Sequence, residues 1–400
     1  MMFWPVVILA TAQSWGSLWA GIRYWKYVRE CLTSPPSGYC PSVAVIVPCR
    51  GVDPELAENV RALLRQEYPK YEVIFVVESR SDPAYPVIRR VLNQEREVPA
   101  VILEAGRARV CGQKVHNLLV ALEYLETRAE GGEKPEVYAF TDSDVQRDPH
   151  WLRHLVAPLE TLGVGATTGY RWYIPAGSFA SLLRSLWNAP IATALGPHPR
   201  NFAWGGSMAL RRETAHRIRL REYWRGSVSD DYRLTEAVRR AGGVIVFVPR
   251  CLLPSSGECS FREVLEFTTR QIIITRCYAP RLWLLLWLST SLFLLAFFWS
   301  GARALLHLAS GERAVEPALV FLAVYIPGVL KAMVRTRVVE RILSAYRDQL
   351  RPYRTAYWFL YPLASLLFFY NCAIAAFSRR ISWRGIRYEL RAPDRTLVLE

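Results

Sequence analysis

Three long stretches of the chain carry no charged side chain, and they limit what it can fold into. These uncharged stretches are residues 1–22, 282–302 and 355–378. Each is long enough to cross the hydrocarbon core of a bilayer as a helix, which takes about 20 residues. A shorter apolar run at 317–330 contains Pro317 and Pro327, which weaken a simple span and make this run a candidate for a re-entrant segment. The pattern predicts a multi-pass integral membrane protein.

The sequence between the first and second apolar stretches has the composition of a water-soluble domain. Residues 178–195 are an exception, because they are largely apolar and predict an interfacial helix, with a buried core helix as the alternative. The predicted organisation is an N-terminal signal anchor at 1–24, a linker at 25–41, a soluble domain at 42–275, and a membrane region at 276–400 with spans near 282–302, 315–334 and 355–378 and a basic tail.

Basic residues predict the orientation in the membrane. Arg23, Lys26 and Arg29 follow the first apolar stretch and no charge precedes it, which favours a signal anchor over a cleaved signal peptide and places the soluble domain in the cytoplasm. The net charge of +15 fits a surface that faces anionic lipids. Nucleic-acid binding is the rival explanation, but the sequence has no nucleic-acid-binding signature, so we expect no nucleic-acid partner.

Two basic segments conflict with a simple count of spans. Residues 331–354 carry seven basic and two acidic side chains, and the tail after residue 378 carries six arginines. Both segments should be cytoplasmic, yet a complete crossing at 355–378 would put them on opposite sides. The sequence therefore leaves the number of spans open.

Apolar runs alternate with helical patterns in the soluble domain. Buried strands are predicted at 43–48, 71–77, 100–103 and 137–141. Helices are predicted after Asp53, which would be an N-cap, near 84–95 and at 114–128. Alternating strands and helices predict an α/β fold with a Rossmann-like, doubly wound sheet.

Acidic side chains follow two of these strands. Asp142 and Asp144 end the strand at 137–141, and Glu78 follows the strand at 71–77. Ligands of such sheets bind at the carboxyl ends of the strands, and Mg²⁺ or Mn²⁺ prefers oxygen ligands shared with phosphates. A solvated acidic turn is the alternative, but a second acidic pair, Asp230 and Asp231, strengthens the metal interpretation. A metal–diphosphate site at a membrane predicts sugar transfer onto a lipid.

The order of these motifs resembles the ceramide glucosyltransferases, which are membrane-bound family 2/21-type glycosyltransferases with a GT-A fold. The resemblance extends from about residue 43 to 391 and is carried by Gly51-Val-Asp-Pro54, Glu67-Tyr-Pro-Lys-Tyr-Glu-Val73, Asp82-Pro-Ala84, Lys114 with Asn117, His198-Pro-Arg200 and Ile381-Ser-Trp-Arg384 with Arg387-Tyr388. Two positions depart from the family: Ser79 stands where an aspartate is common, and the segment from Arg270 to Arg276 lacks the tryptophan and spacing of a Q-x-x-R-W motif.

The resemblance implies roles for individual residues. Asp142 and Asp144 would hold Mg²⁺ or Mn²⁺ against the diphosphate of UDP-glucose, and Asp231 would take the proton from the acceptor hydroxyl. Asp230 would raise the pKa of Asp231 or cap the following helix. His198 would contact the lipid acceptor or the donor, with a structural or surface role as the alternative. The remaining donor-binding residues would be Glu78, Asp82, Lys114, Asp142, Gly206, Arg270, Gln271 and Arg276.

The function that follows is inverting transfer of glucose from UDP-glucose to a membrane lipid, most simply ceramide. Several alternatives stay open within and outside the enzymes. The donor sugar is one, and the acceptor is another, since diacylglycerol, a hopanoid-type lipid or a growing polysaccharide would suit the same catalytic domain. A catalytically silent membrane-binding protein is the alternative outside the enzymes, and retention of Asp142, Asp144 and Asp231 argues against it.

Overall fold

A computed structural model describes residues 4–35, 37–53, 55–128 and 134–399. Its strands are β1 (Val43–Pro48), β2 (Tyr71–Val77), β3 (Ala100–Glu104), β4 (Val137–Thr141), β5 (Val164–Tyr173), β6 (Ser207–Arg211), β7 (Val244–Ser255), β8 (Arg380–Trp383), β9 (Ile386–Ala392) and β10 (Arg395–Leu399). Its α-helices are α1 (Trp4–Thr33), α2 (Leu56–Leu64), α3 (Ala84–Gln94), α4 (Gln113–Thr127), α5 (Trp151–Val156), α6 (Phe179–Ala192), α7 (Arg212–Arg217), α8 (Leu220–Trp224), α9 (Asp230–Arg240), α10 (Phe261–Tyr278), α11 (Pro280–Ala309), α12 (Val315–Ile342), α13 (Arg347–Leu350), α14 (Arg354–Phe359) and α15 (Tyr361–Phe377).

The chain divides into two compact units that do not follow the predicted boundaries. The helical unit comprises residues 1–30, 173–194 and 256–378, and the α/β unit comprises residues 31–172, 195–255 and 379–400. The basic tail, predicted as part of the membrane region, thus folds with the α/β unit.

The main sheet of the α/β unit is mixed rather than wholly parallel. Among the described residues it has seven strands in the order β3-β2-β1-β4-β6-β5-β7. Strands β3, β2, β1 and β4 are parallel neighbours, and these are the four strands that the sequence predicted. β6 runs antiparallel to β4 and to β5, because the chain re-enters the sheet from the opposite edge after residue 204.

Side chains of the central strands point alternately to two apolar layers, one on each face of the sheet. Val43, Val45 and Val47 pack with α2, α3 and α5 on one face, whereas Ala44 and Ile46 pack with α4, α8 and α9 on the other. Helices on both faces were expected of an α/β sheet, and this arrangement is confirmed. It leaves the carboxyl edge of the parallel strands as the place where loops, rather than core side chains, meet.

The first helix after β1 begins later than the sequence predicted. Asp53 was expected to be its N-cap, but the helix starts at Leu56 and its N-cap is Glu55, whose side chain makes no capping hydrogen bond. Asp53 instead forms an ion pair with Arg384 in the C-terminal segment. A local capping pattern could not reveal this partner, because it lies 331 residues away in the chain.

The C-terminal segment forms a small antiparallel sheet, β10-β9-β8, within the α/β unit. It docks on the first residue of α4 and on the loop that follows α8. The backbone N–H of Gln113 donates to the Tyr388 hydroxyl (3.2 Å), and Gly226 lies so near Asp394 that a Cβ there would come within 1.9 Å of the Asp394 carbonyl oxygen.

The helical unit packs α1 against α11 and α12. Ala10 is fully buried beside Phe293 and Val324, and Lys331 Nζ donates to Ser17 Oγ (2.7 Å). The predicted helix at 178–195 forms as α6, and its Trp187 is buried and stacked on Phe368 at 4.8 Å. This burial accords with the alternative of a core helix, and an interfacial position stays a prediction.

Two helices of the described chain, α11 and α12, are long and apolar enough to cross a membrane. The run at 317–330, which the sequence marked as a candidate re-entrant segment, lies inside the continuous helix α12, with Pro327 in its interior. The bend occurs later: residues 344–359 and α15 meet at 72°, as a broken span or a re-entrant loop. Pro362 is the second residue of α15, within the first turn, where a helix leaves the backbone N–H groups without an intrahelical acceptor.

Candidate functional site

The candidate site lies at the carboxyl edge of the parallel strands. β1 pairs in parallel with β2 on one side and β4 on the other, so their carboxyl ends are adjacent. Arg50, Glu78 and Asp142 each follow one of these strands. Glu78 forms an ion pair with Arg50, while Asp142 and Asp144 belong to the cluster of charges described next.

Lys114, at the start of α4, joins two carboxylates from separate parts of the chain. Its Nζ lies 2.8 Å from Asp142 Oδ1 and 3.2 Å from Asp230 Oδ2. Burial alone lowers the pKa of Lys114, but Asp142 and Asp230 outweigh burial and hold the pKa above its usual value, so the ammonium stays charged. Burial raises the pKa of Asp230 to about 6 against the opposing effect of Lys114.

Arg171, on β5, bridges the two aspartates that follow β4. Its Nη2 lies 2.6 Å from Asp144 Oδ1 and 3.2 Å from Asp142 Oδ2, and the guanidinium stacks on the Trp204 ring at 5.3 Å. Burial acts to raise the pKa of Asp144, but Arg171 outweighs it, with help from Arg384, and lowers the pKa to about 2. Asp144 is therefore an anion throughout the physiological range.

Arg384 enters the same cluster from the turn between β8 and β9. Its guanidinium binds Asp53 through two hydrogen bonds of 2.9 Å each, and its Nη2 lies 3.5 Å from Asp144 Oδ2. Arg50 Nε donates to the Arg384 carbonyl oxygen (3.0 Å). The site thus alternates positive and negative side chains along the sheet edge.

Two consecutive glycines allow this close packing. A Cβ at Gly205 would lie 2.1 Å from Asp230 Oδ2 and 2.6 Å from Lys114 Nζ, and a Cβ at Gly206 would collide with the Trp204 ring. The absence of side chains at these glycines leaves room for Lys114, Asp230 and Trp204. The donor-binding role that the sequence predicts for Gly206 stays a prediction.

The second acidic pair starts helix α9, and its two members face different surroundings. Ser229, rather than Asp230, is the N-cap, and its hydroxyl accepts from the backbone N–H of Tyr232. Asp231 accepts from the same N–H (2.7 Å) and from the Ser229 hydroxyl, whereas Asp230 is buried against Lys114. The expectation that Asp230 caps the helix is therefore wrong, because the cap geometry uses its two neighbours.

Two other predicted residues lie in the α/β unit with different partners. Asp82 is buried and accepts hydrogen bonds from the backbone N–H groups of Gly51 and Ala84 (both 2.9 Å), so it holds a loop and a helix start. His198 is half-buried in a loop that Asn201 closes through hydrogen bonds with Gly196 (2.9 and 2.8 Å). Their proposed contacts with donor and acceptor stay predictions.

The predicted diphosphate contacts Arg270, Gln271 and Arg276 lie in α10 of the helical unit. Arg276 donates to the Ala375 carbonyl oxygen (2.6 Å) and stacks on Trp283 at 5.4 Å. Arg270 stacks on Phe267 at 5.6 Å, and the Gln271 carbonyl accepts from Thr275 Oγ1 (2.8 Å). These contacts all lie within the helical unit, and the role of the three residues in binding a diphosphate stays a prediction.

Three arginines of the site were missed at the sequence level. Arg171 interrupts an otherwise uncharged strand, which could have marked it as a site residue. Arg147 is buried and donates to Thr141 Oγ1 (2.6 Å), to the Val145 carbonyl (2.8 Å) and to the Asp142 carbonyl, so it shapes the loop that bears the aspartates. Arg384 was noted in the basic tail and in the motif Ile381-Ser-Trp-Arg384, but without a role in the site.

The donor set at this edge fits a divalent cation that is completed by a ligand. Asp142 and Asp144 both direct carboxylate oxygens to one positive group, the Arg171 guanidinium. Two carboxylates that point to one place suit Mg²⁺ or Mn²⁺, because these ions prefer oxygen ligands and often take further oxygens from phosphates. Among the described residues, no group of three or more His, Cys, Asp or Glu side chains is placed to hold a metal ion.

Comparison with known proteins identifies the family. The family model described as "Glycosyl transferase family 21" matches residues 2–396. Ceramide glucosyltransferase of Komagataella phaffii is 32% identical over 103 residues, which are 26% of this chain and 19% of that protein. Ceramide glucosyltransferase 1 of Caenorhabditis elegans is 30% identical over 86 residues, which are 22% of this chain and 18% of that protein. The matched stretches span about a fifth of these relatives.

A solved structure is also similar. Mannosyltransferase PcManGT from Pyrobaculum calidifontis, in complex with GDP-Man and Mn²⁺, is 17% identical, with a TM-score of 0.44 and coverage of 91% of this chain and 99% of that chain.

Replacing Lys114 with methionine tests whether this side chain balances the buried carboxylates. The K114M variant leaves Asp142 and Asp230 without their shared cation, and removal of one partner from a buried ion pair typically costs about 3–5 kcal/mol. We expect a large fall in the free energy of unfolding, measured on detergent-purified protein by chemical denaturation. The exposed Lys134→Met is the matched control and should change little. Adding Asp230→Asn to K114M should recover part of the loss, and a K114M protein as stable as the control would contradict the assignment.

Proposed function

The chain belongs to glycosyl transferase family 21, and we propose that it is an inverting glycosyltransferase that moves glucose from UDP-glucose to the hydroxyl of a membrane lipid, with ceramide as the acceptor. One observation carries the proposal: the carboxylates of Asp142 and Asp144 both bind the Arg171 guanidinium at the carboxyl edge of the sheet. The buried Lys114–Asp230 ion pair lies beside them. The ceramide glucosyltransferase relatives support the choice of donor and acceptor.

In this proposal the charged edge of the sheet binds the donor. Asp142 and Asp144 would hold Mg²⁺ or Mn²⁺, which when bound offsets the charge of the departing diphosphate. Glu78, kept in place by Arg50, would contact the nucleoside, and Lys114 would fix the orientation of Asp142. The Arg171 guanidinium, which stacks on Trp204 and pairs with both aspartates, would orient their carboxylates.

The proposed chemistry needs one base and one leaving group. The acceptor oxygen attacks C1 of the sugar from the side opposite the diphosphate, so the new C1–O bond forms while the bond to phosphate breaks and its electron pair leaves with UDP. Asp231 takes the proton from the acceptor hydroxyl. Its carboxylate is partly exposed and fixed by the N–H of Tyr232 and the hydroxyl of Ser229, whereas Asp230 is engaged by Lys114.

We also propose that the α/β unit is cytoplasmic and that residues 344–377 turn back without crossing the bilayer. The tail folds into the α/β unit, so both must lie on one side of the membrane. An even number of crossings must therefore separate residue 255 from residue 379, and α11 and α12 supply two. A re-entrant pair would also put both basic segments on the cytoplasmic side, which removes the conflict noted in the sequence.

The proposed reaction predicts metal-dependent transfer of labelled glucose. Purified protein with radiolabelled UDP-glucose and ceramide should yield a labelled glycolipid, and EDTA should abolish the product until Mg²⁺ or Mn²⁺ is restored. Parallel incubations with other UDP-sugars, diacylglycerol, a hopanoid-type lipid and no lipid test the alternatives. Full activity in EDTA would contradict the metal proposal, and label in a polymer would replace the lipid acceptor.

The two aspartates of α9 should differ in their effect on turnover. Asp231→Asn keeps an oxygen that can accept the hydrogen bonds at the helix start but removes the base, and loss of a general base typically costs about 10²–10⁴ in rate. Asp230→Asn should cost at least tenfold less in kcat, since its amide oxygen can still face Lys114. Donor binding by the Asp231 variant, measured by calorimetry, should stay unchanged. Equal losses from both variants would refute the assignment of Asp231.

The membrane topology predicts which introduced cysteines can be labelled. In a background whose native thiols do not react, Glu312→Cys, between α11 and α12, should react with an impermeant maleimide in intact cells. Asp348→Cys and Arg387→Cys should react only after permeabilisation, because both would face the cytoplasm. Labelling of Arg387→Cys in intact cells would mean that residues 344–377 cross the membrane.

A further inference from the structure

The turn between β8 and β9 presents an arginine to the candidate site. Arg384 and Gly385 both have positive φ, 50° and 80°, which is the backbone of a tight two-residue hairpin turn. Asparagine or glycine is the usual residue at the first of these positions, and arginine is uncommon there. This conformation directs the Arg384 guanidinium toward Asp53 and Asp144.

The backbone of this segment is held in place by contacts other than the Arg384 side chain. Arg50 Nε donates to the Arg384 carbonyl oxygen, and the Gln113 N–H donates to the Tyr388 hydroxyl. Gly226 allows the chain at Asp394 to approach closely. The tail therefore has docking contacts that do not involve the Arg384 guanidinium, so a substitution of this side chain leaves part of the docking in place.

Among the described cations that pair with Asp142 or Asp144, Arg384 also has the most exposed side chain. Its side chain is 38% exposed, against 13% for Arg171 and 15% for Lys114. It is oriented by the two hydrogen bonds to Asp53, which leave part of its fork of donors facing the site. Such a fork matches the paired oxygens of a phosphate group, which a lysine cannot match.

We propose that Arg384 binds the diphosphate of the nucleotide-sugar donor, so that the C-terminal sheet completes the donor site. This inference rests on the proposed function. It assigns to the turn the contact that the sequence had assigned to Arg276, a residue that donates to the carbonyl oxygen of Ala375. Asp144 would hold the metal ion, and Arg384, whose Nη2 lies 3.5 Å from Asp144 Oδ2, would supply hydrogen-bond donors to the phosphate oxygens beside it.

The test compares the binding of UDP and uridine by the full chain in detergent, measured by calorimetry with Mn²⁺ present. Arg384→Gln should weaken UDP binding at least tenfold, because it removes charge-assisted hydrogen bonds to phosphate, and should leave uridine binding unchanged. Arg384→Lys should fall between, since it keeps the charge and loses the fork. Arg387→Gln, an exposed arginine on β9, removes the same charge and should bind UDP as the unmodified protein does.

The possible results distinguish a failure of the phosphate-binding role of Arg384 from a failure of the proposed function. Equal losses of UDP and uridine affinity, accompanied by a lower melting temperature, would assign Arg384 a structural role and overturn the proposal. Unchanged UDP affinity of the Gln variant would do the same while leaving the proposed function intact. An unmodified protein that binds neither UDP nor uridine would overturn the proposed function and this inference together.

Discussion

The Lys114 ammonium, placed between Asp142 and Asp230, is the interaction around which the site is built. Three charged groups in one poorly solvated place are stable only when their charges are balanced, because desolvation of an unpaired ion costs several kcal/mol or more. The balance imposes conditions on other positions. Position 205 must be glycine, since any Cβ would collide with the pair, and α4 must begin where Lys114 can reach β4.

The sequence predicted the parts of this arrangement that depend on local pattern and on one topological rule. Continuous apolar runs predicted β1, β2 and β4, and parallel neighbours place their carboxyl ends together, so Glu78 and Asp142 could be assigned to one edge. The antiparallel β6 was not predicted, because its five residues carry no pattern that distinguishes strand direction. Strand direction is decided by how the chain returns to the sheet.

The partners of the acidic residues could not be predicted, because they come from distant segments or from side-chain orientation. Asp53 has the local pattern of an N-cap, and the arginine that binds it instead is 331 residues away. Asp230 and Asp231 are adjacent in the sequence, yet one is buried against Lys114 and the other receives the hydrogen bonds at the helix start. Near a helix start, successive side chains point in directions about 100° apart, so adjacency says little about a shared role.

The folding of the tail into the α/β unit links the candidate site to the path of the chain through the membrane. A segment can supply a side chain to a site only on its own side of the bilayer, so Arg384 requires an even number of crossings after residue 255. The apolar stretch at 355–378 is long enough to cross the bilayer, and such a third crossing would violate this condition. The 72° bend at Leu360 instead divides the stretch between two shorter helices. In the proposed topology, the bend keeps the number of crossings after residue 255 even, and this even number is what allows Arg384 to reach the site. A chain that straightened this bend into a full crossing would have to give up either the tail's docking or one of the other two spans.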